Sequence, residues 1–182
     1  NSVVLKPSEH TPNTSRLVKK IVEKVFPTEI MSVVEGDSKT ASKLLEKKWD
    51  YIFFTGSVKI GEIVAMAAAK KLTPYTLELG GKSPAIINSD TDLKLASKRI
   101  VWGKFLNSGQ TCVAPDYLVA HKSIKGTLIK ELINRIEKTL GKQLEKTDDF
   151  TAIVNEKNFN RLVGLINKNK LLYGGKYDKD KR

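Results

Sequence analysis

Tyr51-Ile52-Phe53-Phe54-Thr55-Gly56-Ser57 joins an apolar run of strand length to a turn, and a helical pattern follows at once. From Val58 to about Leu72 the apolar residues Ile60, Ile63, Val64 and Ala67 recur at helical spacing. Glycine and serine at the junction mark the place where the period changes. The same step occurs twice earlier in the chain. Ser2–Leu5 is a short apolar run broken by Pro7, and Thr11-Pro12 reads as an N-cap with proline at the first helical position. Leu17, Val18, Ile21, Val22, Val25 and Phe26 then carry an amphipathic helix over Pro12–Phe26. Ile30–Val34 is a second strand, and Asp37 or Ser38 can cap a helix running through Lys47. Tyr75–Leu79 closes the series as a fourth strand. Strands alternating with helices in this way predict an α/β fold with an open parallel sheet and right-handed crossovers.

Gly80-Gly81 interrupts the alternation and is the candidate domain boundary, giving 1–79 and 80–182. The second part reads as the start of another α/β domain. Ala85-Ile86-Ile87 is expected to be a buried strand, and Asp90 or Thr91 to cap a helix from Asp92 to about Leu106. A turn over Asn107–Thr111 leads to Cys112 and then to a strand near Tyr117–Ala120. Ser123 is expected to cap the next helix, which Gly141 ends, and a last helix is expected from about Glu156 to Asn169.

Composition narrows the class. With 182 residues, 40% of them hydrophobic, the chain can bury a core; no apolar run approaches the ~18 residues of a membrane span. A single cysteine excludes an intrachain disulfide framework and suits a reducing compartment. The net charge of +12 raises nucleic acid as a partner, but the lysines are scattered without interleaved aromatics, so no nucleic-acid partner is expected. His10 and His121 lack ligands at metal spacing, and no metal is assigned. The ends, Asn1-Ser2-Val3 and Lys176 to Arg182, read as those of a fragment of a longer protein.

Two residues could carry chemistry. Glu78 stands between Leu77 and Leu79, which share the opposite strand face, and precedes two glycines. Partial desolvation there would suit a general base; the alternative is a carboxylate on a solvated edge. Cys112 follows Gly109-Gln110-Thr111, a turn whose backbone N–H groups could face a thiolate or an oxyanion, whereas a lone cysteine otherwise serves as a small buried hydrophobe. Gly56-Ser57 opens a helix, where unsatisfied N–H groups suit a diphosphate, although the spacing is not G-x-G-x-x-G. Lys6 and Glu9 leave the end of a strand and could grip ribose hydroxyls, or be solvated loop charges.

Taken together, the segments Leu77-Glu78-Leu79-Gly80-Gly81-Lys82-Ser83-Pro84 and Phe105-Leu106-Asn107-Ser108-Gly109-Gln110-Thr111-Cys112 resemble the glutamate and cysteine motifs of the aldehyde dehydrogenase superfamily. Leu5-Lys6-Pro7-Ser8-Glu9 and Phe54-Thr55-Gly56-Ser57 are similar to its cofactor-binding segments. Leu72-Thr73-Pro74, Trp102-Gly103-Lys104-Phe105 and Val113-Ala114-Pro115-Asp116-Tyr117 resemble the class 3 and fatty aldehyde branch. The resemblance implies a Rossmann-like cofactor domain over 1–79 and part of a catalytic domain over 80–182. It implies oxidation of an aliphatic, fatty or aromatic aldehyde to an acid with NAD or NADP. Cys112 would be the nucleophile and Glu78 the base that activates water. Lys6 and Glu9 would hold the adenosine ribose, Gly56 and Ser57 the diphosphate, and the backbone around Leu79 the nicotinamide carboxamide.

The same resemblance implies a cytoplasmic homodimer, with attachment to the cytosolic face of a membrane through a C-terminal tail in the fatty aldehyde branch. The family's oxyanion-hole asparagine and its glutamate-phenylalanine motif would lie upstream of Asn1 and beyond Arg182, so the isolated segment is expected to be inactive or nearly so. Two alternatives compete with this reading: a coenzyme A-acylating member of the family, and a non-enzymatic basic binding module.

Overall fold

A computed structural model describes residues 1–142 and 150–181 of the chain. It divides into two compact units, Asn1–Glu78 and Leu79–Arg182. In the first, β1 (Val3–Leu5) pairs in parallel with β2 (Met31–Val33), Val3 opposite Met31 and Leu5 opposite Val33. The connection is α1 (Pro12–Val25), whose first position is the proline that fits there because its missing N–H would have no helical partner. Next, α2 (Ser38–Leu45) leads to β3 (Ile52–Thr55), which pairs in parallel with β4 (Tyr75–Glu78) through α3 (Val58–Ala69). Asp37 caps α2 by accepting from the amides of Lys39 and Thr40, at 3.0 and 3.2 Å. Val22, Val33, Val64 and Ala68 form the buried apolar centre of this unit.

The second unit repeats the scheme. β5 (Ser83–Ile87) pairs in parallel with β6 (Pro115–Ala120), with a register shift between Ser83 and Pro84. Between them runs α4 (Leu93–Phe105), against which α5 (Lys125–Leu140) packs. The last helix, α6 (Glu156–Val163), buries Phe159, whose ring meets Tyr177 edge-on at 5.9 Å between centroids. Ile87, Val101, Ala114, Leu128 and Phe159 are the buried apolar residues here.

The α/β architecture read from the sequence is present, and every strand pair is parallel. Among the described residues, hydrogen bonding joins the strands as three separate pairs, β1–β2, β3–β4 and β5–β6, where the alternation alone predicted a continuous sheet in the first part. Two strands lie only ~5 Å apart and cover a narrow strip of any helix above them. Much of the expected apolar face of α1 and of α3 is therefore left in solvent. α1 buries Val22 and exposes Leu17, Ile21 and Val25; α3 buries Val64 and exposes Ile60 and Ile63. β5 is likewise buried on one face alone, with Ile87 inside and Ile86 78% exposed, so the fully buried strand expected there is half-buried.

Three caps differ from expectation. α4 is capped by Asp92, which accepts from Lys94 and Leu95 at 2.9 and 3.1 Å; Asp90 and Thr91 stand too early for their oxygens to reach those amides. Ser123 does not cap α5, because its hydroxyl is engaged with His121 Nδ1 at 2.8 Å. Thr11 lends α1 no side-chain bond; Ser15 instead donates back to the carbonyls of Ser8 and Thr11. α6 stops at Val163, short of Asn169, with Gly164 directly behind it.

Candidate active site

The candidate residues are distributed over both units, and each unit contributes its own piece. In the first, Thr55 ends β3 opposite Glu78, and the Gly56 N–H donates to the Glu78 carbonyl at 2.9 Å. That single bond joins the glycine-serine turn to the glutamate strand end. A Cβ at Gly56 would stand 2.5 Å from Cζ of Phe54, so the ring over the turn would have to shift to admit one. Ser57 caps α3, its hydroxyl accepting from the Ile60 N–H at 3.4 Å and its carbonyl from Gly61 at 2.9 Å. No acidic residue occupies the first turn of α3, and among the described residues the Val58 and Lys59 amides have no intramolecular partner. A helix start of this kind favours an anion through its outward N–H groups and its dipole.

Lys6 and Glu9 follow β1 and are paired, Nζ to Oε2 at 3.0 Å, while Lys6 also donates to the Pro7 carbonyl at 2.9 Å. The Glu9 carboxyl is held below its ordinary value, first by its own backbone amide and then by the Lys6 ammonium. The two side chains thus form one preset unit at the carboxyl end of β1. Glu78 terminates β4 at the carboxyl end of its own strand. Its side chain is exposed while Leu77 and Leu79 are half-buried, which is the alternation the strand requires. The partial desolvation expected for Glu78 is not supplied: a terminal strand residue facing outward from a two-stranded sheet keeps its water.

In the second unit α4 runs to Phe105 and the chain then turns through Leu106–Gly109. Asn107 and Ser108 have φ of 52° and 55°, and Gly109 follows at 79°, so three successive residues are left-handed. For an L residue that conformation costs roughly 1–2 kcal/mol, somewhat less for asparagine. The turn is tied internally by the Gln110 backbone and side-chain N–H groups, both donating to the Asn107 carbonyl at 3.1 Å. Beyond it the Ala114 amide donates to Thr111 at 3.1 Å, and Ala114 is buried. Cys112 lies between these two anchors, exposed, and among the described residues its amide has no intramolecular partner. A small buried hydrophobe would look different on both counts.

Local patterns missed three residues that shape this piece. Gly81 abuts the Cys112 carbonyl so closely that any Cβ would overlap the oxygen. Lys82 pairs with Asp116, Nζ to Oδ2 at 3.1 Å, linking the segment after Glu78 to the strand after Cys112. Ser108 meets Thr151 hydroxyl to hydroxyl at 3.0 Å. The paired glycines and the opposite charges were visible in the sequence, but their partners, more than thirty positions away, were not.

Comparison with known proteins bears on the whole of this arrangement. Residues 1–182 match the aldehyde dehydrogenase family. The chain is 46% identical over 185 residues to aldehyde dehydrogenase family 3 member H1 of Arabidopsis thaliana, covering 99% of this chain and 38% of that protein. It is 41% identical over 182 residues to the dimeric NADP-preferring aldehyde dehydrogenase of Mus musculus, covering 100% of this chain and 40% of that protein. A solved structure of the substrate-bound state of Staphylococcus aureus AldH is similar to it with a TM-score of 0.92 at 42% identity, again over 100% of this chain and 40% of the other. The chain thus spans about 40% of the length of the relatives it matches. With every residue matched and its α/β units superposing on a solved member, this chain belongs to the aldehyde dehydrogenase family, and its similar relatives include members of the class 3 branch.

Proposed function

We propose that the intact protein carrying this chain oxidises aldehydes, aliphatic and long-chain or aromatic, to carboxylic acids with NAD or NADP. The observation that carries the reading is Cys112: an exposed thiol, beside an amide with no partner among the described residues, at the end of a left-handed turn, in a chain that matches the family throughout. The Cys112 thiolate would attack the aldehyde carbon, and the Cys112 N–H would donate to the oxyanion that forms. When bound, the nicotinamide supplies the hydride acceptor that makes the thiohemiacetal a thioester. Glu78 would take a proton from water; the hydroxide would add to the thioester, and the sulfur would leave as thiolate with release of the acid. The exposure of Glu78 gives it the access to water this step needs.

The residues present fit a dinucleotide. The Gly56-Ser57 start of α3 carries open N–H groups and no acid, which suits a diphosphate. The Lys6–Glu9 pair offers a donor and an acceptor for ribose hydroxyls, and the backbone at Leu79 would meet the nicotinamide carboxamide. The mouse relative is named as NADP-preferring and dimeric, which supports keeping both nucleotides and a homodimer in the proposal. A reducing compartment such as the cytoplasm accords with the lone thiol. Among the described residues no helix is long and apolar enough to cross a membrane.

The test is turnover by the intact protein with hexanal, a long-chain aldehyde and benzaldehyde, following nucleotide reduction and acid release with and without coenzyme A. Cys112→Ala should abolish reduction while nucleotide still binds. Glu78→Gln should permit a single burst of reduction and then stall. Undiminished steady-state turnover in either variant would defeat the assignment, and acid release that gives way to acyl-coenzyme A would transfer the protein to the acylating class.

A further inference from the structure

The left-handed run Asn107-Ser108-Gly109 contains one glycine only, and such a run in L residues persists where neighbours over-determine it. Two contacts reach it from a single short segment far along the chain. The Thr151 and Ser108 hydroxyls are 3.0 Å apart, across 43 positions of sequence. One residue earlier, the Phe150 ring lies against Phe105, with centroids 6.2 Å apart and planes inclined at 58°. Phe105 is the last residue of α4 and Ser108 lies within the turn, so the segment grips the chain on both sides of the point where it leaves the helix.

We propose that Phe150-Thr151 braces the cysteine turn, and that Thr151 is a positioning residue for Cys112. Without that partner the Ser108 hydroxyl can bond to its own neighbouring backbone, the usual competitor of an ordered turn. Serine then has no reason to stay left-handed, and the Gln110–Ala114 stretch presenting the sulfur loses its fixed starting point. Phe150 fixes the segment by ring contact, and Thr151 delivers the polar contact that the ring contact aims. Neither side chain touches the reacting atoms. The proposal rests on Cys112 as the nucleophile, and its consequences separate from that reading.

The experiment uses the intact protein with Thr151→Val, Thr151→Ala, Thr151→Ser, Ser108→Gly and the Thr151→Val/Ser108→Gly double variant. Three quantities are read: the rate of Cys112 alkylation by iodoacetamide, followed by peptide mass spectrometry; kcat and KM for hexanal and nucleotide; and the thermal midpoint. Thr151→Val and Thr151→Ala should each slow alkylation and kcat about fivefold, the equivalent of one ordinary hydrogen bond, with the nucleotide KM unchanged. Thr151→Ser should restore both rates. In the Ser108→Gly background Thr151→Val should cost nothing further, because glycine takes the left-handed turn unaided. Wild-type alkylation in both Thr151→Val and Thr151→Ala overturns the proposal, whatever happens to the thermal midpoint. Equal damage by Thr151→Val with serine or glycine at position 108 overturns it as well. Turnover that survives Cys112→Ala would instead remove the nucleophile assignment, while the alkylation rates would still decide the brace.

Discussion

Gly81 and the Cys112 carbonyl, both in the second unit, are in such close approach that no side chain fits between them. Gly80, its neighbour, has open space where a Cβ would be. The pair therefore makes an internally controlled prediction. Gly81→Ala must push backbone against backbone, which cannot be relieved by a rotamer change, and should destabilise the protein by about 1–3 kcal/mol while slowing alkylation of Cys112. Gly80→Ala should stay within about 0.5 kcal/mol of wild type. Urea unfolding and thiol alkylation measure both; equal behaviour of the two variants would mean that the contact is not a constraint.

Leu72 sits at φ 53° and is 92% exposed, just past the end of α3. There the Thr73 N–H donates to Ala68 and the Leu72 N–H to Ala69, at 3.0 and 3.2 Å, the paired bonds of a Schellman closure. The position asks for glycine, and leucine buries nothing in return. Replacing it removes roughly 1–2 kcal/mol of left-handed strain and adds about 0.5–1 kcal/mol of unfolded-state entropy. Leu72→Gly should therefore stabilise by about 0.5–1 kcal/mol, seen as a higher urea midpoint at constant slope. A lower midpoint would show that the leucine is held by contacts of its own.

Glu9 gives the pH dependence. Its carboxyl is depressed in the folded protein by its own backbone amide and by Lys6, so the ionised form is the one folding favours. The stabilisation is complete above the ordinary glutamate value and is lost as pH falls through the lower folded value. In a carboxyl-carbon NMR titration, Glu9 should protonate below the ordinary glutamate value, and Lys6→Met should move its midpoint upward. Because the Glu9 carboxylate is exposed to solvent, the contribution to stability is small. A Glu9 midpoint unmoved by Lys6→Met would contradict the pairing.

Asp92, which the local pattern passed over, holds the start of α4, the helix that ends at the cysteine turn. Asp92→Ala should cost about 1 kcal/mol, as for other N-caps, and Asp90→Ala close to nothing. Hydrogen exchange of the Lys94 and Leu95 amides should rise in the first variant only. Exchange unchanged by Asp92→Ala would place the cap elsewhere.

The order and type of the elements were legible in the residues because they depend on neighbours. Proline at the start of α1, Asp37 ahead of α2 and the apolar spacing of α3 act over one or two turns of chain. So does the strand alternation that sends Glu78 away from Leu77 and Leu79. Folding decided what depends on distant approach. It grouped the strands in pairs, which left Ile60 and Ile86 in solvent despite their helical and strand periods, and it left Glu78 exposed, the solvated of the two settings its neighbours allowed. It also set Gly81 against Cys112, Lys82 on Asp116 and Thr151 on Ser108. No local period encodes such meetings: each needs a long loop to close, and the entropy of closure is repaid only by the surrounding packing, which exists in the folded chain alone.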